Sequence, residues 1–361
     1  MCGHGPQIGR SYMCVDGYYD NNNVSAVFSF LTQYDRSWQY AGNLEAAILL
    51  VLFALSVIGN VYVLKVILAA KQKSKMLMNM FVSNLIFADL MFVITAPFIS
   101  AVRITSKWVL GQFMCSFVNY WLFVCGSTMI WTMSAISIDR YVNINVGIST
   151  EKRLPRRHVV IINAALWLIG ILSFIPLALN FKIVNVTANN NSFQVCSLLW
   201  TNLEKDSNDQ SIIFVSVVAV IDFILPVVII ITNYARIYVK FRQSRRTIEN
   251  FNTATFSRNN NTGQSKLQRN TAKYRVLKTL VSLVLAFIVM WVPVMIVFSI
   301  IEHDIVHKHY RIPSSVLVWT IALCYLNTIV NALMYGMATK QVRDRVDSIR
   351  EMFTNRPTDR A

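Results

Sequence analysis

Apolar residues in this chain gather in seven long runs, roughly 44–70, 76–102, 112–144, 158–180, 210–238, 272–301 and 313–337, with short polar stretches between them. Each run reaches the roughly 20 residues that a helix needs to cross about 30 Å of hydrocarbon. Lipid offers the backbone no hydrogen-bond partner, so only helices and closed barrels span it. Barrel strands are about 10 residues of alternating polarity, and these runs are continuous. The pattern predicts an all-α membrane protein, a seven-transmembrane helix bundle over residues 44–337. Residues 1–43 are polar, lack the pattern of a cleaved signal peptide and read as an extracellular N-terminal segment. Residues 338–361 read as a cytoplasmic tail that opens on a short C-terminal amphipathic helix, with Val342, Val346, Ile349 and Phe353 on one face and Arg343, Arg345 and Arg350 between them. No cysteine follows that helix to carry a palmitoyl anchor. The linker 242–271, rich in Asn, Ser, Thr and Arg, reads as a mobile loop.

Composition agrees with lipid as the solvent. The chain is 55% hydrophobic and only 14% charged, against about 25% charged in soluble domains, and its mean hydropathy is +0.46. The net charge of +16 raises nucleic acid as a partner. Its distribution argues otherwise: with the N-terminus outside, 23 of the 34 Lys and Arg fall in the cytoplasmic segments 71–75, 144–158, 239–278 and 338–361. Basic residues near membrane ends fix orientation toward the cytoplasm, so the charge reads as topology and no nucleic-acid partner is expected.

In this topology Cys115 begins the third span on the outside and Cys196 lies in the outer loop before the fifth. An oxidising compartment permits a disulfide between them, which would pin that loop over the bundle. Cys125 and Cys324 lie inside spans and read as packing residues, while pairing of Cys2 with Cys14 stays open. Outward glycosylation sequons occur at Asn23, Asn185 and Asn190, and a fourth, at Asn260, falls on the cytoplasmic side.

Polar residues within spans are costly and tend to carry function. Span one has Gly59-Asn60, and span two has Leu85, Ala88 and Asp89. Span three ends in Asp139-Arg140-Tyr141, 25 residues after Cys115, or roughly 37 Å at 1.5 Å per residue. Span four holds Trp167, span five Pro226 and Tyr234, span six Phe287, Trp291 and Pro293, and span seven Asn327, Asn331 and Tyr335. One such set per span, in this order, resembles the class A (rhodopsin-like) G-protein-coupled receptors over about residues 44–353.

The resemblance implies a plasma-membrane receptor with a ligand site open to the outside and a site for a heterotrimeric G protein, and then arrestin, at the inner ends. It implies no enzyme, no cofactor and no metal. Asp139, Arg140 and Tyr141 would meet the G protein, with Tyr234, Tyr335 and Asn331 supporting the active arrangement. Ile130, Pro226 and Phe287 match the family's core switch, and Trp291 its pocket floor. Pro226 and Pro293 break backbone hydrogen bonds and create hinges, which suits a two-state bundle that a ligand biases. Four positions depart from the pattern. The family's Asn-Pro on span seven is Asn331-Ala332 here, and the Cys before the span-six Trp is Met290. Met129 replaces the small hydroxyl residue of the family's sodium pocket, which argues against sodium modulation and leaves Asp89 a structural role with Asn60 and Asn331. Lys273 stands where an acid often faces the triplet arginine.

For the ligand, Leu122 occupies the position of the aspartate in amine receptors, which argues against an amine. Asp222, one turn before Pro226, and Glu302, at the outer end of span six, point to a short basic amidated peptide. Receptors for neuropeptide Y and RFamide peptides carry an acid at the position of Glu302. The bland alternatives are an internal hydrogen bond for Asp222 and a solvated rim charge for Glu302. Ala101-Val102-Arg103, Trp108-Val109-Leu110-Gly111 and Cys196-Ser197-Leu198-Leu199-Trp200 instead look like the long-chain free fatty acid receptor, where the arginine at Arg103 would serve the carboxylate. A lipid ligand is therefore the second expectation, and a ligand-independent seven-helix scaffold the third. Transporter repeats, filter motifs and the phosphate-loop, H-E-x-x-H and G-x-S-x-G signatures are absent. His303, His307 and His309 read as a solvated loop in preference to a zinc site.

Overall fold

The computed structural model describes residues 7–9, 12–20, 23–33, 38–69, 76–143, 155–188, 191–200, 207–254, 281–303 and 312–338. Among the described residues seven helices are long and apolar enough to cross a membrane: Ala41–Ala69, Asn79–Thr105, Gly111–Tyr141, Arg156–Asn180, Ile212–Lys240, Val281–His303 and Ser314–Gly336. They are called spans one to seven below. The tail 338–361 (beyond Ala338), Lys273, His307, His309, Asn190 and Asn260 lie outside the described residues, as does most of the linker 242–271.

Span one shows how lipid inverts the usual amphipathic logic. Its buried stripe, Leu49, Ser56, Asn60, Val63 and Ile67, repeats at helical spacing and carries the polar residues. Its opposite face is largely hydrocarbon, broken by Tyr62 and Lys65, with Ile58 and Leu68 among the most exposed large hydrophobic side chains described. Gly59 lets this helix approach span seven: a methyl group added there would already touch the Ala332 side chain at 3.4 Å. Span three runs through the centre and is the most buried of the seven, whereas spans four and five turn most of their surface outward.

Proline interrupts spans two and five, and also span four, which breaks at Phe174 ahead of Pro176. Span two breaks at Ile94-Thr95, ahead of Pro97 in the first turn of the next helical segment, Ala96–Thr105. Thr95 fills the gap by donating to the Phe92 carbonyl at 2.6 Å and pairing with the Tyr325 hydroxyl of span seven at 2.6 Å. Span five widens into a π-helical turn, Ala219–Ile224, just before Pro226. Proline lacks an N–H and crowds the carbonyl four residues back, here that of Asp222, and a wider turn accommodates it. Beyond the bilayer this helix continues to Ala254, well into the stretch expected to be a loop. Residues 239–250 contain neither Gly nor Pro and include several good helix formers, so the helix propagates into solvent.

The bundle is capped at one end by β-structure. Strands β1 (Gln7–Gly9), β2 (Tyr12–Asp20) and β3 (Asn23–Phe28) form an antiparallel sheet. Strands β4 (Phe181–Ala188) and β5 (Asn191–Leu198) form a hairpin, with Ile183 opposite Cys196. Alternating Val, Ile and Thr around an Asn-rich tip is a hairpin pattern, although the apolar runs alone had suggested only a loop. Cys115 and Cys196 are joined in a disulfide. Gln112 and Ser116 of span three both donate to the Phe181 carbonyl, and the Trp108 amide donates to the Gln194 carbonyl at 2.8 Å. Cys125 and Cys324 are buried, unpaired thiols.

Candidate ligand cavity

Beneath the hairpin lies a cavity with about 800 Å³ of empty space, a figure that includes its open side. Nine of its twenty-one lining residues are aromatic. The hairpin and the N-terminal segment roof it: Phe30 meets Phe181 edge-on, with ring centroids 5.1 Å apart, and Phe298 lies 6.1 Å from Phe30. Phe123 and Phe298 form an edge-to-face wall at 5.0 Å. Trp291 is the floor. Its ring stacks on Phe287 at 5.3 Å and tilts against Phe92 at 5.4 Å. Gly126 makes that position possible, because a Cβ there would stand 2.7 Å from the indole.

Three lining side chains are markedly polar: Asn119, Ser127 and Asp222. Each already has a partner in the protein. Asn119 donates to the Cys115 carbonyl at 2.9 Å. Ser127 donates to Asp222 Oδ1 at 2.6 Å, and the Trp131 indole N–H donates to the same oxygen at 3.2 Å. Span three thus presents Ser127 and Trp131, one turn apart, to the carboxyl carried on the widened turn of span five. Asp222 is therefore held by neutral donors, the internal hydrogen bonding that the sequence offered as the alternative to a ligand role.

The remaining expected ligand residues separate. Leu122 and Trp291 line the cavity; Arg103 and Glu302 do not. Arg103 is completely buried beside the cavity and bonded on every side. Its Nε donates to Glu45 Oε2 at 2.6 Å, Nη1 to the Leu31 carbonyl and the Ser314 hydroxyl at 3.1 Å each, and Nη2 to Gln33 Oε1 at 3.5 Å. Ser314 passes its own proton to the Thr32 carbonyl at 2.8 Å. One ion pair therefore latches the N-terminal segment to spans one, two and seven. Glu302 is also buried, beside the Trp200 indole, and its Oε1 has no hydrogen-bond partner among the described residues.

Below the floor the expected switch residues do converge. Ile130 and Phe287 line the bottom of the cavity, and Pro226 is buried on the adjoining span. Hydroxyls of span three continue down span five: Ser134 donates to the Pro226 carbonyl at 3.3 Å, and Ser137 accepts from the Asn233 amide at 3.1 Å. Asn331 donates to both oxygens of Asp89 at 3.2 and 3.3 Å. Asn60 does not join them directly; it donates to the Ser56 and Thr328 carbonyls. At the far end Arg140 interacts electrostatically with the buried Tyr234 and Tyr335, and Tyr141 packs under Arg236 of span five at 5.7 Å. Asp139 is half-buried beside them, and its carbonyl accepts from Asn143 at 2.7 Å. Of the sequons, Asn185 is exposed on β4 and Asn23 opens β3.

Apart from Phe287 and Trp291, the aromatic lining was not singled out from the sequence, nor were Gly126 and the Glu45 partner of Arg103. Glu45, an acid near the start of an apolar run, was a visible signal. The rest of the aromatic lining had none, because phenylalanine is equally at home facing lipid.

Comparison with known proteins agrees with this arrangement. The chain is 26% identical over 299 residues to free fatty acid receptor 4 of Mus musculus, covering 81% of this chain and 78% of that receptor. It is 26% identical over 302 residues to galanin receptor type 1 of Homo sapiens, covering 81% and 77%. A G-protein coupled receptor homolog, K2, of Swinepox virus matches at 23% over 356 residues, covering 94% and 86%. Residues 59–335 match the family described as 7 transmembrane receptor (rhodopsin family), and the chain belongs to that family of non-enzymatic receptors, which take an extracellular ligand and couple to G proteins.

Proposed function

We propose that this receptor is activated by a single-chain lipid, most simply a long-chain fatty acid, whose hydrocarbon fills the aromatic cavity above Trp291. The observation that carries this reading is the cavity wall: aromatic on most sides, with its three polar residues already hydrogen-bonded internally. Sites lined by apolar and aromatic side chains with few convergent polar groups are the common form for small ligands, and each buried methylene contributes roughly 0.8 kcal/mol. The similarity to free fatty acid receptor 4 supports it. A short basic peptide remains the second reading, favoured by Asp222 on the cavity wall and by the similarity to galanin receptor type 1.

In this proposal the β-capped end faces outward at the plasma membrane, with Asn23, Asn185 and Asn190 as its glycosylation sites. The Arg140 end faces the cytoplasm, as the 23 basic residues of the segments assigned there favour. A heterotrimeric G protein docks on Asp139, Arg140 and Tyr141, with Tyr234, Tyr335 and Asn331 behind them, and arrestin follows at the same end.

The test is G-protein dissociation in cells expressing the chain, challenged in parallel with long-chain fatty acids and with short basic amidated peptides. Fatty acids are expected to activate, and Phe298→Asp, which puts a charge on the cavity wall, to lower their potency at least about tenfold. A response to peptides alone would replace the lipid reading with the second one. Basal coupling without any ligand response, abolished by Arg140→Ala, would support the scaffold alternative.

A further inference from the structure

A second cleft opens on the outer surface of the bundle between spans five and six, with about 1220 Å³ of empty space that includes its open side. Ala219, Phe223 and Ile224 of the widened turn form one wall, and Met295, Ile296 and Ser299 form much of the other. Ile224 and Ile296 are about half exposed, so the cleft faces lipid. Phe223 and Met295 line both this cleft and the internal cavity. Among the described residues these two side chains border both the membrane side and the ligand side, and one of them is methionine, whose unbranched thioether reorients easily.

The dimensions suit a lipid tail. Along span six the cleft extends from Val292 to His303, roughly 16 Å at 1.5 Å per residue. That is about half the 30 Å hydrocarbon thickness, the depth of one leaflet. Its lining is hydrocarbon at the Val292 end and gains the exposed His303 toward the β-capped end, where a head group would meet water. The Ser299 hydroxyl is bonded to the Met295 carbonyl at 2.9 Å and leaves the wall apolar at that level.

We propose that this cleft binds one free fatty acid drawn from the adjoining leaflet, and that the acid passes between Phe223 and Met295 into the cavity. The choice of a free acid over a glycerolipid rests on the lipid reading above, because only a single unattached chain can continue inward.

Photo-crosslinking tests it. The full-length receptor in phosphatidylcholine nanodiscs is exposed to a diazirine- and alkyne-tagged long-chain fatty acid, or to phosphatidylcholine carrying the same diazirine on one chain, and adducts are mapped by mass spectrometry. The fatty acid is expected to label residues 219–224 and 292–300 in preference to spans one and four, and excess unlabelled acid to remove that labelling. Ala219→Trp and Ser299→Trp should each cut it at least tenfold and slow the onset of signalling several-fold with an unchanged plateau. Equal labelling of spans one and four, preferential labelling by phosphatidylcholine, or full labelling in both Trp variants would overturn the site. Competed cleft labelling in a receptor that signals only to peptides keeps the cleft and sinks the lipid reading. Signalling to fatty acids with no cleft labelling does the reverse.

Discussion

The two halves of the bundle solve the problem of polarity in lipid in opposite ways. In the half under the β-cap, polar groups are paired off at the margin of the space: Arg103 and Glu45 close on each other away from the cavity lining, Asp222 on the wall is bonded to Ser127 and Trp131, and rings supply much of the remaining surface. In the other half, polar groups meet at the centre across the spans, Asn331 on Asp89, Asn60 on the Thr328 carbonyl, and Asn84 between Thr132 and Trp167. Several buried atoms there, both polar atoms of Asn327 and Oδ1 of Asn60 and of Asn331, have no partner among the described residues. An aromatic wall tolerates ligands of varied shape because dispersion is non-directional. A hydrogen-bonded core with atoms to spare has a limited set of discrete arrangements, the property a two-state switch needs.

The β-capped half depends most on its covalent tie. The disulfide closes 81 residues of sequence, and loops of that size are worth about 4.5 kcal/mol in the chain-entropy account. Cys115→Ala and Cys196→Ala are each expected to abolish surface expression or ligand response, read by surface labelling and G-protein assay, while Cys125→Ala leaves both intact. Normal signalling by Cys196→Ala would mean that the hairpin holds its roof position without the bridge.

Next in size is the buried ion pair. Arg103→Ala strands the Glu45 carboxylate in the interior and releases the N-terminal segment, a change that typically costs 3–5 kcal/mol. The expected result is loss of folded receptor in a thermal-stability assay, with any ligand. Arg103→Met combined with Glu45→Leu removes both charges and should recover much of that loss. If the double variant is stable but deaf to fatty acids, Arg103 serves the ligand as well as the fold.

The polar half was legible in the sequence because an Asn, Asp or Tyr in an apolar run is conspicuous: Asp89, Asn331, Tyr234 and Tyr335 are all buried in the bundle. The aromatic half, apart from Phe287 and Trp291, was not. Nothing in one dimension tells Phe123, on the cavity wall, from Phe113, which is largely exposed. Asp222 and Arg103 were visible as residues but not as roles, since their partners Ser127, Trp131 and Glu45 lie 95, 91 and 58 residues away. The β-hairpin was written in alternating Val and Ile residues, yet it sat inside a stretch classed only by its lack of a span.

Gly126 joins the two halves, since it sets the height of Trp291 between cavity and core. Gly126→Val would force the indole out of the 2.7 Å approach available to it. Overpacking of this kind typically costs 1–3 kcal/mol. The expected outcome is a ligand potency lowered by roughly tenfold or more with surface expression largely retained. Unaltered potency would show that the floor can drop without closing the cavity.

The smallest effect is expected at the residue that first looked most like a ligand anchor. Asp222 accepts from Ser127 and Trp131 through the same oxygen, Oδ1, and an asparagine carbonyl can accept both bonds. With a lipid in the cavity Asp222→Asn removes a charge but no contact that the ligand uses, so potency should move by less than about threefold, within the range of an exchange that keeps its hydrogen bonds. A basic peptide behaves differently. Its guanidinium or ammonium group would enter a site short of water, where losing one member of a charge pair costs about 2–5 kcal/mol, or roughly thirtyfold and upward in potency. Glu302→Gln adds a second arm, since its carboxyl, buried beside Trp200 and off the cavity wall, touches neither kind of ligand in the arrangement seen here. Dose–response curves for Asp222→Asn and Glu302→Gln at matched surface level therefore separate the readings by magnitude. A near-parental curve for both leaves the aromatic wall as the recognition element, and a thirtyfold loss confined to Asp222→Asn hands the cavity to a cationic ligand.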